Sequence, residues 1–228
     1  MRIKRLHKNW DPMQEIFELT KNDIELQVMS DMQKYNGLYY AKYGKSAPDS
    51  LDVDNFVAEV WEFEIKFESI KQPKGEEILG CLRPQNREII IDSEQCNSKE
   101  RINFTIAHEA GHLSLHASML RLEDGRVVGW KNKPIEPQFT NRERIKKLDI
   151  NQTRMEWQAN KYASALLAPK YKIYEILTSL GLITGQHQLT PIDLTVNSQL
   201  LMEKFGLSRQ ALEIRLSDLK VDVIGKKY

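Results

Sequence analysis

The stretch Thr105–His116, TIAHEAGHLSLH, contains three of the five histidines of the 228-residue chain. His108 and His112 are four positions apart, so on a helix their imidazoles project from one face and can bind a single ion. Glu109, between them, is suited to act as a general base beside such an ion. The same pattern also fits an amphipathic helix whose histidines only pack. Other parts of the chain must decide between these two interpretations.

A third metal ligand is available on a second predicted helix. A catalytic zinc site uses three protein ligands, and Glu156 lies in RMEWQANKYASALLAP, residues 154–169. Two alanines on the face of Glu156 allow this helix to approach the histidine helix closely. Asn160, one turn further on, is placed to hydrogen-bond a metal ligand.

Two further residues of the histidine helix have specific expectations. Gly111 costs about 1 kcal/mol relative to alanine in a helix interior, which indicates tight packing against a neighbouring element. A third histidine ligand of the known spacing would stand at position 118, where the chain has Ser118. We therefore expect His116 to contact a ligand or to end the helix rather than to bind the ion.

The order of predicted elements indicates an α+β fold. Helical periodicity and caps predict helices that stop at Asn36-Gly37, and a period of two near residue 65 predicts a strand. Two apolar runs around Pro84 predict a hairpin, so a small sheet should precede the histidine helix. The predicted elements are helices over 11–36 and 51–62, strands over 63–69, 77–83 and 87–92, and then the histidine helix.

The second half of the chain is predicted to be helical after a long connection. Residues 121–150 are charged and contain two prolines and two glycines, which predicts an irregular connection. Residues 197–219 predict two short helices in a helix-turn-helix-like layout. We expect an N-terminal helical extension over 1–48, a central domain over 49–180 and a helix-turn-helix-like C-terminal segment over 181–228.

The composition is that of an ordinary soluble globular protein. The net charge is +1, and 41% of the residues are hydrophobic, which suggests no polyanionic partner. Cys81 and Cys96 are too few for a disulfide framework or a four-cysteine site. No apolar run approaches the roughly 20 residues that a membrane span needs. We expect a cytoplasmic protein without a membrane segment.

The combined motifs resemble one known family. The run RINFTIAHEAGHLSLH, residues 101–116, followed by MEWQANKYASALLAP, is similar to the ImmA/IrrE family of metallopeptidases. The resemblance implies a zincin-like, gluzincin-like fold in which a small β-sheet packs on the HExxH helix. It departs from the family at Gln158, where a second glutamate is common, and at Ala168, where methionine is common. The site residues that it implies are the metal ligands His108, His112 and Glu156 and the catalytic base Glu109.

The resemblance also implies a function. Members of the family typically cleave a helix-turn-helix transcriptional repressor of a phage, a mobile element or a stress response, and so derepress its genes. The expected reaction is zinc-dependent peptide hydrolysis, although Mn²⁺ and Fe²⁺ fit the same ligands. The run REIIID, residues 87–92, is expected to form a sheet edge that pairs with the substrate backbone. Candidates to stabilise the oxyanion are Tyr162, Tyr171, Tyr174 and His116.

Two alternatives remain open. One is a DNA-binding regulator with a structural or sensory metal site, but residues 197–228 mix acidic and basic side chains and lack the basic stripe of a DNA-contacting helix. This charge pattern disfavours direct DNA binding. The other alternative is a protein that binds the repressor without cleaving it, which has no chemical need for Glu109.

Overall fold

Seven helices and nine short strands occur in the part of the chain that the computed structural model describes. The described residues are 18–48, 50–71, 78–83, 86–116, 120–123, 126–130, 142–184, 187–188 and 192–224. The helices are α1 (Lys21–Tyr43), α2 (Val53–Trp61), α3 (Lys99–His116), α4 (Arg142–Leu167), α5 (Lys170–Ser179), α6 (Leu194–Phe205) and α7 (Arg209–Asp218). The strands are β1 (Glu64–Glu68), β2 (Gly80–Arg83), β3 (Glu88–Asp92), β4 (Leu120–Glu123), β5 (Arg126–Trp130), β6 (Ile183–Thr184), β7 (His187–Gln188), β8 (Ile192–Asp193) and β9 (Val223–Ile224). The expected α+β class is confirmed.

Helix α1 is longer than predicted. A capping box between Thr20 and Asp23 starts it, and Gly44, with φ of 65°, ends it. The predicted stop at Asn36-Gly37 is wrong, because buried tyrosines on both sides of this pair pack into the core and offset the cost of a helical glycine. The first part of the predicted region, residues 11–17, lies outside the described residues.

The predicted hairpin is confirmed, but the predicted sheet edge is wrong. The three-stranded sheet has the order β1-β3-β2, with β1 parallel and β2 antiparallel to β3. All five residues of β3 are buried, as expected for a strand with neighbours on both sides. The run 87–92 is therefore central, and β2 is the edge strand on the other side of the hairpin.

A single buried cluster joins the sheet to the helices. Phe56 of α2, Ile89 of β3, Ile106 of α3 and Leu166 of α4 are all fully buried within it. The cluster also takes in apolar residues of α1 and α7, so helices from all three predicted segments share it. The boundaries at 48 and 180 themselves stay predictions.

The predicted irregular connection over 121–150 is wrong where the structure describes it. Strands β4 and β5 pair antiparallel, and α4 already begins at Arg142, about three turns before the predicted start near residue 154. An Asp124-Gly125 dipeptide separates the two strands in the sequence, which is a strong sequence signal for a hairpin. Six of the twelve residues over 142–153 are charged, which is why the sequence pattern predicts a connection at the start of α4.

The two C-terminal helices are confirmed. Gly206 with φ of 60° follows α6, and the side chain of Ser208 caps α7 by accepting a hydrogen bond from the backbone of Ala211. None of the helices described here is both long and apolar enough to cross a membrane.

Candidate metal centre

The α3–α4 helix pair packs most closely at Gly111. A Cβ atom added there would lie 3.0 Å from Cα and 3.1 Å from the carbonyl oxygen of Ala159. It would also lie 3.1 Å from Cβ of Tyr162. These contacts confirm the close approach that was predicted from the glycine and the small alanines.

The close packing brings together the three predicted metal ligands. Nε2 of His108 lies 3.1 Å from Nε2 of His112 and 3.1 Å from Oε2 of Glu156. Nε2 of His112 lies 3.5 Å from Oε1 of Glu156. One ligand atom from each residue lies within 4.8 Å of the others, so the group can hold a metal ion. We call these three residues the metal group; their assignment as ligands stays a prediction.

A second layer of contacts holds the imidazoles of the metal group. Oδ1 of Asn160 lies 3.0 Å from Nδ1 of His108, which confirms the predicted contact from α4. Nδ1 of His116 lies 3.0 Å from Nδ1 of His112, and its Nε2 lies 2.9 Å from Oε1 of Gln158. His116 therefore contacts a predicted ligand from the end of α3, as expected from its spacing. Sequence reasoning noted Gln158 only as a departure from the family and missed its contact.

The metal group has a buried side and an open side. The side chain of His112 is 9% exposed, whereas that of Glu156 is 48% exposed. His108 is intermediate at 16%. An ion bound here would be most accessible to solvent at Glu156 and least accessible at His112.

The charges of the group act strongly on one another. Burial raises the pKa of Glu109, against the effect of the two imidazoles beside it. Burial opposes protonation of His108, but the carboxylates of Glu156 and Glu109 outweigh it and raise the His108 pKa. Burial also opposes ionisation of Glu156, yet hydrogen bonds from His108 and His112 lower its pKa well below the ordinary value. Burial, together with the charge of His112, lowers the pKa of His116 to about 4. The opposite pKa shifts of His108 and Glu156 show that the charges of the imidazole and the carboxylate stabilise each other.

Two of the four candidate oxyanion residues are committed to other contacts. Tyr162 is fully buried, and its hydroxyl donates a hydrogen bond of 2.7 Å to Oδ2 of Asp31. His116 is 2% exposed and lies between His112 and Gln158. The other two candidates, Tyr171 and Tyr174, lie on α5, outside the α3–α4 helix pair.

A buried carboxylate on α1 supports both helices of the site, and sequence reasoning missed it. Asp31 accepts hydrogen bonds from Ser114 of α3 at 2.5 Å and from Tyr162 of α4 at 2.7 Å. Gln27 donates a third at 3.0 Å. The available signal was the position of Asp31 on the apolar face of α1, three residues after the buried Val28.

The edge strand β2 lies beside the histidine helix. A Cβ atom added at Gly80 would lie 2.6 Å from Cγ2 of Thr105, so this strand packs directly against α3. Burial raises the pKa of the Cys81 thiol, and the charge of Glu109 adds to the effect. The charge of the predicted catalytic base therefore acts on Cys81 in the edge strand.

A cavity of about 560 Å³ lies elsewhere, between the start of α3 and the C-terminal helices. Lys99 and Asn103 of α3, Met202 and Phe205 of α6 and Arg209 of α7 line part of it. No residue of the metal group lines this cavity. The metal group is therefore a surface site separate from it.

Charged side chains of the helix-turn-helix-like pair α6–α7 form ion pairs with other helices of the protein. Arg215 of α7 is buried, donates to the carbonyl of Ala168 at 2.9 Å and forms an ion pair with Glu25 of α1. Asp218 pairs with Lys21 and with Lys161, at 2.5 Å in each case. These contacts dock one face of α7 onto α1 and α4.

No family model and no curated protein matches this chain. Among solved structures, a chain described as a Mycobacterium tuberculosis transcriptional regulator is similar with a TM-score of 0.45 and 12% sequence identity. The match covers 92% of this chain and 53% of that one, so this chain spans about half the length of that structure. A likeness at this level defines neither the fold nor the function.

Proposed function

We propose that the chain is a zinc-dependent endopeptidase of the ImmA/IrrE type, with a zincin-like fold, that cleaves a helix-turn-helix transcriptional repressor. The observation that carries the proposal is the convergence of His108, His112 and Glu156 within 4.8 Å, with Glu109 buried on the same turn of α3. Two imidazole nitrogens and a carboxylate at one half-exposed point are a donor set that a zinc ion can use.

The donor set fits zinc. Two imidazole nitrogens and one carboxylate are the three protein ligands of a common class of hydrolytic zinc sites, and such sites leave a position open. Zinc in such a site supplies Lewis acidity for peptide hydrolysis. Mn²⁺ or Fe²⁺ can occupy the same ligands.

Glu109 would move the proton. It follows His108 directly and precedes His112 by three residues, so one turn of α3 carries the two ligands and the base together. The carboxylate would accept a proton from the attacking water and return it to the leaving amine. Its burial shields this transfer from bulk solvent.

The substrate would bind as an extended segment along β2. Among the described residues this strand is an edge of the three-stranded sheet, and it packs on α3 through Gly80. The charge of Glu109 contributes to the raised pKa of Cys81 in this strand. An extended peptide can add to such an edge through backbone hydrogen bonds. The repressor as the substrate follows from the family resemblance.

Direct DNA binding by α7 is the weaker alternative. Arg215 is buried against Glu25, and Arg209 pairs with Glu213 at 3.1 Å, so two of the six lysines and arginines in residues 197–228 are paired with acidic side chains of the same protein. Contact with phosphates requires exposed lysines and arginines in a stripe. Binding of the repressor without cleavage is decided by the experiment below.

The test compares three proteins: the wild type, His108→Ala and Glu109→Gln. Metal content is measured by mass spectrometry, and each protein is incubated with the repressor-like protein encoded beside its gene. We expect about one zinc per chain and chelator-sensitive cleavage for the wild type, and loss of both in His108→Ala. Glu109→Gln should keep the zinc and lose cleavage by about 10²- to 10⁴-fold, because only the proton transfer is removed.

The outcomes separate the candidate functions. Cleavage that persists in Glu109→Gln rejects the assignment of Glu109 as the base. Zinc that stays bound in His108→Ala rejects the assignment of the metal group as the zinc ligands. Zinc in the wild type without cleavage leaves a repressor-binding protein and rejects the endopeptidase.

A further inference from the structure

The contacts of His116 define a chain of hydrogen bonds that ends at the metal group. Oε1 of Gln158 can only accept, so Nε2 of His116, 2.9 Å away, carries the hydrogen of this bond. Nδ1 of a neutral His116 is then an acceptor. Nδ1 of His112, 3.0 Å from it, must therefore donate, so a His112 ring that binds a metal ion does so through Nε2.

We propose that Gln158, acting through His116, is a positioning residue that sets the tautomer of His112 and thereby presents its Nε2 to the metal. The inference rests on the proposed metal site and adds to it residues that bind no ion themselves. Nε2 of His112 is the ring nitrogen that faces Glu156, at 3.5 Å. The orientation that the chain imposes is therefore the one that a metal ligand needs.

Burial makes this chain of hydrogen bonds effective. Gln158 is 1% exposed and His116 is 2% exposed, so solvent water does not compete for either residue. Because a buried donor or acceptor that loses its partner is unfavourable, the tautomer that satisfies both hydrogen bonds is strongly favoured.

Helix α4 orients the other imidazole in the same way but directly. Oδ1 of Asn160 accepts from Nδ1 of His108, so Nε2 of His108 is the ring nitrogen left for a metal ion. The two Nε2 atoms lie 3.1 Å apart beside the carboxylate of Glu156. Helix α4 therefore provides both the carboxylate of the metal group and the two amides that orient its imidazoles.

The test replaces the terminal acceptor. Gln158→Met keeps the approximate volume of the side chain and removes its carbonyl, so His116 and then His112 lose their fixed tautomers. We expect zinc affinity, measured by competition with a chromophoric chelator, to fall by about 10- to 100-fold. In the cobalt-loaded protein the visible absorption spectrum should change, because the geometry of one ligand is altered.

A matched control lies on the same helix. Ser164 is buried on α4, and its hydroxyl has no hydrogen-bond partner among the described residues. Ser164→Ala should leave zinc affinity and the cobalt spectrum unchanged. Thermal unfolding of the zinc-free proteins shows whether Gln158→Met acts on the metal site beyond any general loss of stability.

A second measurement needs no variant. Histidine-selective ¹⁵N NMR of the zinc-loaded wild type reads the tautomer of each ring, and we expect His116 protonated at Nε2 only and His112 protonated at Nδ1. His116 protonated at Nδ1 overturns the proposal, as does unchanged zinc affinity in Gln158→Met. A wild type that binds no zinc rejects the proposed function and this inference with it, whereas zinc binding that ignores Gln158 rejects this inference alone.

Discussion

The α3–α4 pair and the α6–α7 pair each match a sequence motif with a functional interpretation, but their polar side chains have different partners. In the α3–α4 pair, His108, His112 and Glu156 point three potential acceptors at one half-exposed place. In the α6–α7 pair, Arg215 and Asp218 pair with charges on other helices of the same protein.

The difference distinguishes a group of atoms that can take up a ligand from ion pairs that are complete within the fold. Converging ligand atoms can be joined either by a cation or by a proton, whereas an Arg–Glu ion pair within the fold is already complete. The first arrangement can therefore hold a metal ion, and the second docks one helix onto its neighbours. We call the contacts of Arg215 and Asp218 the docking region. If a substitution in the docking region changed zinc affinity, the contrast would fail; if only substitutions at the α3–α4 pair did so, the contrast would be strengthened.

The largest effect on stability is expected at the docking region. Arg215→Met leaves the carboxylate of Glu25 and the carbonyl of Ala168 without their buried partner, so the free energy of unfolding should fall by about 3 kcal/mol. Zinc affinity of the folded protein should not change. Urea unfolding and chelator competition measure the two quantities.

Arg209→Met on the same helix is the control for Arg215→Met. The Arg209–Glu213 pair is an i,i+4 contact with a 29% exposed arginine side chain, so its loss should cost less than about 1 kcal/mol. Equal losses in the two variants would mean that the buried pair does not dock α7. A loss of zinc affinity in Arg215→Met would mean that the two regions are coupled.

Much of the candidate site was predictable because its signals are local. The four-residue spacing of His108 and His112 and the single carboxylate of Glu156 follow from helical periodicity and from the ligands that zinc requires. Close packing at Gly111 also followed from one residue, since glycine in a helix interior is unfavourable unless space is short. These expectations needed no knowledge of the tertiary structure beyond two adjacent helices.

The expectations that failed depended on distant residues. Whether Ile89–Ile91 is central or at an edge is decided by β1, which joins it from more than twenty residues earlier in the chain. Two of the three partners of Asp31, Ser114 and Tyr162, lie 83 and 131 residues away, so no local pattern identifies them. Six of the twelve residues over 142–153 are charged and only three are apolar, so their helix could not be distinguished from a charged connection.

A smaller effect is expected where the α3–α4 pair is tightest. Gly111→Ala gains about 1 kcal/mol of helix propensity but places Cβ 3.0–3.1 Å from three atoms of α4, and such overpacking costs about 1–3 kcal/mol. We expect a net loss of up to about 2 kcal/mol in urea unfolding. Zinc affinity should also fall, because the contacts lie at Ala159, between Gln158 and Asn160.

Gly37→Ala is the matched control for Gly111→Ala. Gly37 is also inside a helix, but a Cβ atom there would meet nothing within 4 Å. This variant should gain about 0.5–1 kcal/mol and leave zinc affinity unchanged. If both variants are stabilised, the close approach of α3 and α4 is not a constraint on the site.

The smallest effect is a pH dependence of stability caused by Asp31, which accepts hydrogen bonds from α3 and α4. Burial raises the pKa of this carboxyl above its ordinary value of 3.8, against the hydrogen bonds from Ser114, Tyr162 and Gln27. The folded protein therefore binds the proton more tightly than the unfolded chain does. The resulting stabilisation is complete below about pH 3.8 and is lost as the pH rises through the folded pKa.

Asp31→Asn removes this titration, so the stability of the variant relative to the wild type should increase between pH 4 and pH 7. The sign of this change follows from the raised pKa of the folded carboxyl. Urea unfolding of the zinc-free proteins at several pH values measures it, and the histidines of the metal group contribute equally to both proteins. A difference that stays constant with pH would mean that Asp31 has no raised pKa in the folded protein. It would then act on α3 and α4 through its hydrogen bonds alone.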